Sequence, residues 1–431
     1  MSAYTVACAT YNGHLAKGHH HSQGNPCAWL IPAFSDGTSG GSGRIVDDAP
    51  AFVVVGFQEI IPLHLALAGL TDSALKQHDE QLLSVLESLY TASQTSSKPN
   101  STRRYKLLSQ KALGGIALLV YARRDVADRV RTVEVSTVGC GILGLMGNKG
   151  AVGIRVTLVE PESGREEKGS GGGESSWTFV SAHLAAHQSD KCVRRRNEDW
   201  RSIVERLVFV GENGEERQLF DSGNVFFFGD LNYRISLTSP SPLSLDLLSQ
   251  HITTLTSSAS STSPLSSACS TLLSHDQLTQ ERRAERTLHH LREGPIAHPP
   301  SYKFKLGSRD EYTSFQKRVP GWTDRVLYAS AGGDEVEVKS YRSVMDCTMS
   351  DHKPVAAVFS LPSSAASSSL PFSSPFPIDP SWRTKRLIGL LLDRLVGSAW
   401  CILMLAGFNR SAKVGMFILL AAVVAVYYVW R

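Results

Sequence analysis

The chain has 431 residues, of which 42% are hydrophobic and 19% are charged, as in a globular protein with one large domain or two ordinary ones. Its formal net charge of +4 is small for this length, so the sequence lacks the concentrated basic field that general nucleic-acid binding requires. Seven scattered cysteines without C-x-x-C spacing predict neither a disulfide framework nor a zinc site, and they fit a reducing compartment.

The predicted elements begin at the N-terminus, where residues 1–12 have too short an apolar run for a signal peptide and are predicted to contain the first strand. Short apolar runs predict further strands at 52–57, 116–121, 132–138, 151–159, 177–182, 225–228, 325–328 and 355–359. Helical spacing of apolar residues predicts helices at 74–90, 190–209 and 276–293. Low-complexity stretches at 37–43, 93–101, 163–176 and 236–274 are interpreted as insertions at loop tips.

Composition divides the C-terminal part from the rest of the chain. Residues 1–361 have the size of a catalytic domain, residues 362–385 are a Ser/Pro-rich linker, and residues 386–431 are a membrane-associated anchor. Residues 414–430 form an uncharged run of seventeen, bracketed by Lys413 and Arg431. As a helix this run would span about 25 Å, close to the endoplasmic reticulum bilayer of about 27 Å. We expect a transmembrane helix, with a buried core helix as the alternative.

A second apolar run, residues 387–408, contains Asp393 and Arg394. Charged side chains are costly in hydrocarbon, so this run predicts an interfacial or partly inserted helix, with a membrane hairpin left open. A single anchor satisfies the positive-inside rule because it keeps the basic flanking residues on the cytosolic side. Those residues are Arg383, Lys385, Arg386, Arg410 and Lys413.

Polar residues stand where several apolar runs end. Asp230 and Asn232 follow the run 225–228 two residues apart, and this spacing puts two side chains on one face of a strand. The alternative is an Asx-type turn in which both side chains cap the local backbone. Comparable positions are held by Asn12, Glu59, His183, Asp324, Asp351 and His352. Such residues suit Mg²⁺-assisted hydrolysis of a phosphate ester, and no P-loop or G-x-S-x-G motif accompanies them.

Seven motifs stand in the order seen in inositol polyphosphate 5-phosphatases. They are Asn12, Phe57-Gln58-Glu59, Gly147-Asn148-Lys149-Gly150, Ser181-Ala182-His183, Gly229-Asp230-Leu231-Asn232-Tyr233-Arg234, Trp322-Thr323-Asp324-Arg325 and Ser350-Asp351-His352-Lys353-Pro354. The sequence therefore resembles that family of the endonuclease/exonuclease/phosphatase superfamily over residues 4–361. The resemblance implies an α/β fold of four layers, in which two mixed sheets lie face to face between helices, as in DNase I.

The resemblance also implies roles for the matching residues. Glu59, helped by Asn12, is expected to hold Mg²⁺. Asp230 is expected to orient or deprotonate the attacking water, and Asn232 to position that water and a phosphate oxygen. His352, held by Asp324, and His183 are expected to contact the scissile phosphate, with Asp351 near the metal.

Substrate binding is implied for nine further residues: Asn148, Lys149, Arg196, Asn197, Tyr302, Lys303, Lys317, Arg318 and Arg325. In relatives, a tyrosine-lysine pair and basic residues ahead of the matching Pro320 grip the inositol 4-phosphate. The family usually has a lysine two residues before the arginine that matches Arg318, and this chain has Gln316 at that position. Either Lys317 substitutes from the neighbouring position, or affinity for the 4-phosphate is weaker.

These features favour a membrane-anchored phosphoinositide 5-phosphatase that acts on phosphatidylinositol 4,5-bisphosphate at a cytosol-facing membrane, with the endoplasmic reticulum expected from the anchor length. Its expected partners are the lipid substrate and the bilayer, without nucleic acid; the sequence names no protein partner. A neutral sphingomyelinase or abasic-site endonuclease of the same superfamily is the second hypothesis, and a catalytically silent lipid-binding protein is the third. The third would lack Glu59, Asp230 or His352, and all three are present.

Overall fold

The computed structural model describes residues 4–13, 25–34, 49–91, 103–160, 173–257, 267–362 and 369–407. The transmembrane helix predicted at 414–430 and the basic residues Arg410 and Lys413 lie outside these ranges, so their prediction stands untested.

The first sheet has six strands in the order β13-β14-β1-β2-β4-β3. The β1 and β2 strands are parallel, and the other neighbours are antiparallel. The strands are β1 Tyr4–Asn12, β2 Phe52–Gln58, β3 Tyr105–Leu113, β4 Ile116–Arg123, β13 Glu337–Ser343 and β14 Val355–Leu361.

The second sheet has six strands in the order β11-β12-β10-β7-β6-β5, with β10 and β7 parallel. The strands are β5 Val130–Gly139, β6 Gly150–Val159, β7 Glu174–His183, β10 Asn224–Asp230, β11 Arg292–Glu293 and β12 Asp324–Ser330. The short strands β8 Phe209–Val210 and β9 Glu216–Arg217 pair with each other.

Three apolar clusters define four layers. The central cluster joins the inner faces of both sheets, where Phe52 of the first contacts Phe179 of the second with ring centroids 5.4 Å apart. The outer faces of the two sheets are covered mainly by α3 and α5 respectively. The described helices are α1 Leu30–Phe34, α2 Leu63–Leu67, α3 Asp72–Thr91, α4 Arg124–Ala127, α5 Asp190–Arg206, α6 Leu245–Ser257, α7 Ser267–Ser274, α8 Gln277–Arg283 and α9 Trp382–Leu405. The predicted four-layer fold is confirmed.

One helical prediction and one loop prediction are wrong. The stretch 276–293 forms only α8, because Glu285, Leu288 and His290 adopt positive φ angles of 54°, 49° and 63° and break the helix before β11. The Ser-rich stretch 236–274 was expected to be a loop, yet it contains α6 and α7. These helices bury Leu248 and Leu272 in the central cluster, and this packing outweighs the weak helical propensity of serine.

The C-terminal part of the chain packs on the domain. Within the expected linker, Phe372 and Phe376 pack against the cluster on the outer face of the second sheet, and Gln218 donates a hydrogen bond to the Phe376 carbonyl at 2.9 Å. Within the described residues, α9 is the helix long and apolar enough to cross a membrane. It nevertheless lies against α2.

Candidate active site

Strand directions bring the polar residues to one edge of the two sheets. Asn12 and Gln58 pair at the ends of the parallel strands β1 and β2, and His183 and Asp230 pair at the ends of β7 and β10. Asp324 begins the antiparallel strand β12 directly opposite Asp230. Local apolar strands thus deliver polar side chains from five places in the sequence to one edge of the two sheets.

Asp230 is the centre of this cleft and is buried. Its Oδ2 accepts a hydrogen bond from Nδ2 of Asn12 at 3.0 Å and lies 3.2 Å from Nε2 of His183. The same oxygen lies 3.9 Å from Nε2 of His352. One carboxylate oxygen therefore faces three of the residues predicted to act with it.

Asn232 does not share a strand face with Asp230, because β10 ends at Asp230 and Asn232 has a left-handed backbone with φ 61°. Its backbone N–H donates to Oδ1 of Asp230 at 3.1 Å, so the Asp230 side chain makes the Asx-type turn of the alternative, whereas the Asn232 side chain has other partners. The Asn232 side chain donates to the Leu184 carbonyl at 3.1 Å and accepts from Arg234 at 2.5 Å. Only one oxygen of Asp230 is used by the turn.

His352 is paired with Asp324, as the resemblance implied. Nδ1 of His352 lies 2.9 Å from Oδ2 of Asp324, and both residues are buried. Ser301 and Thr323 also donate to that oxygen, at 2.7 and 2.8 Å. The carboxylate is therefore fixed from three sides, and it fixes the imidazole ring in turn.

Burial and nearby charges set the protonation states in the cleft. Burial lowers the pKa of His352, but Asp324 and Asp230 outweigh that effect and raise the pKa to about 9. Burial would raise the pKa of Asp230, yet His352, His183 and Lys149 hold this pKa well below its usual range. At neutral pH the pair is an imidazolium beside a carboxylate.

Lys149 joins this group from the turn before β6. Its Nζ contacts Nε2 of His183, since Gly150 and His183 are opposite each other on β6 and β7. Burial, followed by the charge of Lys149, lowers the pKa of His183, and burial also lowers the pKa of Lys149. The neighbouring Asn148 accepts a hydrogen bond from the Ile142 N–H at 3.1 Å, which closes the loop.

The donor set at this edge fits a hard divalent cation. Glu59 directly follows β2 with a positive φ of 53°, and its charge acts on the pKa values of both Lys149 and His183. Asp230 and Asp324 offer carboxylate oxygens within 4.8 Å of each other, and His352, which belongs to the same group, is an imidazolium at neutral pH and is not counted as a ligand. Among the described residues, Oδ1 of Asp324 is buried and receives no hydrogen bond. Carboxylate and amide oxygens are ligands that Mg²⁺ prefers.

A second group of side chains lines the cleft beside His352. The ring centroids of Tyr302 and His352 are 4.4 Å apart. The guanidinium carbon of Arg234 lies 4.1 Å from the centroid of the Tyr302 ring. Lys303 donates to Oδ2 of Asp351 at 2.6 Å, and Asp351 raises the pKa of Lys303 against the opposing effect of burial.

The loop ahead of Pro320 is exposed. Lys317 and Arg318 are both on the surface, and Nη1 of Arg318 lies 3.4 Å from Nδ1 of His187. The charge of Arg318 acts on the pKa of Lys303, so the two cations are neighbours.

Three of the residues predicted to bind substrate make hydrogen bonds within the protein, where Arg325 and Arg196 are buried and Asn197 is half-buried. Arg325 pairs with Asp276 at 3.0 Å and with Glu293 at 2.6 Å. Arg196 donates to the carbonyls of Ala185 and His187 and to Gln277, and Asn197 donates to Glu281. These partners engage all three guanidinium nitrogens of Arg325, whereas Nε of Arg196 is buried without a hydrogen-bond partner.

Sequence reasoning missed two kinds of residue. Arg234 stood within the quoted Gly229–Arg234 motif, so its signal was present although no role was given to it. Ser301 and Thr323 fix Asp324, but isolated hydroxyl residues give no pattern that distinguishes them from other loop residues.

Comparisons with known proteins agree with this geometry. The family described as Endonuclease/Exonuclease/phosphatase family 2 matches residues 9–358. A type II inositol 1,4,5-trisphosphate 5-phosphatase of Mus musculus is 33% identical over 73% of this chain and 27% of its own length. An inositol-1,4,5-trisphosphate 5-phosphatase 1 of Schizosaccharomyces pombe is 30% identical over 71% of this chain and 24% of its own length. The chain thus spans about a quarter of these two relatives.

Solved structures give the same result. The inositol polyphosphate 5-phosphatase domain of SPsynaptojanin, in complex with inositol (1,4)-bisphosphate and calcium ion, has a TM-score of 0.61 and 25% identity, covering 91% of this chain and 90% of that one. A Cimex nitrophorin has a TM-score of 0.53 at 17% identity, over 84% of this chain and 99% of its own, and it shows the fold alone.

The fold and the cleft define a protein of the DNase I-like class. The chain belongs to the endonuclease/exonuclease/phosphatase family, and the relatives it matches are inositol polyphosphate 5-phosphatases. The resemblance read from the motifs is confirmed.

Proposed function

We propose that this protein is a Mg²⁺-dependent phosphoinositide 5-phosphatase that converts phosphatidylinositol 4,5-bisphosphate to phosphatidylinositol 4-phosphate. The observation that carries the proposal is the convergence of Asn12, His183 and His352 on one oxygen of Asp230. The matched 5-phosphatase relatives support the reaction type.

Asp230 orients the attacking water. Water adds its oxygen to phosphorus as the bond from phosphorus to the C5 oxygen breaks. In the net reaction one water proton ends on the C5 oxygen, which leaves as a hydroxyl, and the other remains on the released hydrogen phosphate. Because the pKa of Asp230 is held well below its usual range, its carboxylate is a poor proton acceptor. Orientation is therefore its main contribution, and Asn232 acts on the same turn by holding the backbone beside it.

His352, Lys149 and His183 bind the scissile phosphate. With a pKa of about 9, His352 is cationic at neutral pH and can donate from Nε2 while Asp324 holds Nδ1. Lys149 adds a second positive charge, with its Nζ beside Nε2 of His183. Donors placed in advance stabilise the charge that builds on the phosphoryl oxygens in the transition state.

Glu59 and Asn12 would hold the divalent cation, with Asp351 contributing to that site. When bound, Mg²⁺ neutralises part of the negative charge on the phosphate. The Asn12 side chain is held in one orientation because its Nδ2 donates a hydrogen bond to Asp230. This bond leaves the amide oxygen of Asn12 as the atom that can bind a cation.

Tyr302, Lys303 and Arg318 bind the 4-phosphate. Arg234 and Lys303 both lie over the Tyr302 ring, so this wall of the cleft is cationic. Lys317 extends the basic surface from the exposed loop, in place of the lysine that the family usually has at Gln316. Arg325, Arg196 and Asn197 join neighbouring segments through their internal hydrogen bonds.

The C-terminal part keeps the cleft at a membrane. Leu387, Leu391 and Leu395 on α9 are 57%, 54% and 69% exposed, and Arg383 and Arg386 precede them. This arrangement suits a helix at the interface of an anionic membrane. Together with the uncharged run 414–430, it supports a cytosol-facing enzyme on the endoplasmic reticulum, tethered near lipid headgroups.

Product analysis tests the regiochemistry. Purified full chain is incubated with phosphatidylinositol 4,5-bisphosphate in vesicles, with Mg²⁺ or with EDTA, and the lipid product is identified. The proposal predicts phosphatidylinositol 4-phosphate as the product with Mg²⁺ and no product with EDTA. A 5-phosphate product, or equal turnover in EDTA, would contradict it.

A further inference from the structure

One stripe of α9 faces the catalytic domain. Gly389, Asp393 and Gly397 are buried and are spaced four residues apart, which places them on one side of a helix. Most of the remaining circumference is exposed and apolar. The helix is attached along this stripe, and Arg394 and Trp400 add contacts to Ala68 and His64, while the exposed apolar face is left for lipid.

The two glycines allow backbone to approach backbone. A Cβ at Gly389 would lie 2.3 Å from the carbonyl oxygen of Leu145, and a Cβ at Gly397 would lie 2.2 Å from the backbone nitrogen of Ala68. Neither position has room for a side chain. The helix surface is thus shaped to fit the loop before β6 at one glycine and the end of α2 at the other.

Asp393 lies between these glycines and reaches the active-site loop. Both of its carboxylate oxygens are 3.0 Å from the backbone nitrogen of Gly147. Gly147 precedes Asn148, whose side chain closes the loop, and Lys149, whose Nζ contacts His183. The carboxylate of Asp393 therefore connects the C-terminal helix, through one backbone hydrogen bond, to the loop that carries Lys149.

We propose that Asp393 is a positioning residue, which fixes the loop 141–150 so that Lys149 meets the substrate phosphate when α9 is docked. A carboxylate at the centre of a lipid-facing helix is costly, and the bond to Gly147 accounts for its place there. The same helix faces lipid and holds the loop, so its docking links the membrane-proximal segment to substrate binding. The kinetic part of this inference rests on the proposed function.

Hydrogen exchange and kinetics of the full chain in lipid nanodiscs test the proposal. The variants are Asp393→Ala, Asp393→Asn, which keeps one acceptor oxygen, and Ser398→Ala on the exposed side of α9 as a control. For Asp393→Ala we expect exchange at the Gly147 amide to rise about tenfold and KM for an inositol phosphate to rise by a similar factor, with kcat within about threefold. Asp393→Asn should lie between, and Ser398→Ala should match the unmodified chain.

The outcomes separate the inference from the proposed function. Unchanged exchange at the Gly147 amide in Asp393→Ala would overturn the docking contact. A loss of kcat of about tenfold with an unchanged KM would overturn the positioning role. If exchange rises only in the loop while the unmodified chain hydrolyses no inositol phosphate, the contact stands and the proposed function fails. Should Asp393→Ala also expose β10 to exchange, the chain has unfolded and the Asp393→Asn comparison decides.

Discussion

Asn12 at the end of β1 donates a hydrogen bond to Asp230 at the end of β10, with Nδ2 and Oδ2 3.0 Å apart. These strands belong to different sheets, and 218 residues separate the two side chains in the sequence. The bond therefore exists only when the sheets are packed face to face. Catalytic geometry at this cleft depends directly on the central apolar cluster.

The first prediction concerns the charge on His352. Its pKa of about 9 exceeds the ordinary value of 6.5, so its protonated form stabilises the folded chain fully below pH 6.5, and this contribution is lost as pH rises through 9. Without metal, we expect the free energy of unfolding to fall by about 3 kcal/mol between these pH values. Denaturant titrations of the unmodified chain and His352→Gln, in EDTA at pH 6 and 9.5, measure the difference. An equal pH dependence in both proteins would contradict the prediction.

Lys303 should be important for substrates that carry a 4-phosphate. For Lys303→Gln we expect KM for such a substrate to rise about tenfold, because a charged contact to phosphate is lost. Lys305→Gln is the matched control, since Lys305 is exposed and pairs with exposed Glu311 at 2.7 Å. Steady-state kinetics on substrates with and without the 4-phosphate compare the two. The assignment fails if both variants change KM equally.

Glu59 should govern the metal requirement. Replacing its carboxylate by an amide in Glu59→Gln is expected to raise the Mg²⁺ concentration for half-maximal activity at least about tenfold. Glu80→Gln on the exposed side of α3 serves as the control. A Mg²⁺ titration of activity measures both, and an unchanged midpoint for Glu59→Gln would remove this residue from the metal site.

Deleting residues 413–431 should release the chain from alkali-washed membranes, because the remaining apolar helix α9 is held to the domain by its docked stripe and binds lipid only at its surface. Membrane flotation before and after a carbonate wash measures the retained fraction. An unrelated transmembrane segment placed after residue 412 should restore retention. Retention of the deleted chain after the wash would instead indicate that α9 spans the bilayer.

Much of the fold could be predicted because uninterrupted apolar runs are typical of strands buried on both faces. This holds for β2, β4, β7 and β10. The strands β3 and β13 were not predicted, since both lie at sheet edges and mix exposed polar residues with apolar ones. Most of the site could be predicted as well, because its polar residues directly follow these apolar runs at the strand ends.

The rest of the site depends on contacts between distant parts of the chain. Asp393 and Gly147 are 246 residues apart, and no periodic pattern relates them. Arg325 stood in a family motif, yet only the packed structure shows Asp276 and Glu293 enclosing its guanidinium. A motif places a residue near the cleft, but burial and partners determine whether its side chain reaches the substrate.

The central claim is that Asp230 orients water for attack on the 5-phosphate of a phosphoinositide. A phosphate-release assay tests it most directly. The assay compares the unmodified chain, Asp230→Asn and the control Asp221→Asn. The substrates are phosphatidylinositol 4,5-bisphosphate, inositol 1,4,5-trisphosphate, sphingomyelin and abasic DNA. We predict release from the inositol phosphates only, reduced at least about a thousandfold in Asp230→Asn and unchanged in Asp221→Asn. Turnover of sphingomyelin or DNA instead, or full activity of Asp230→Asn, would contradict the account.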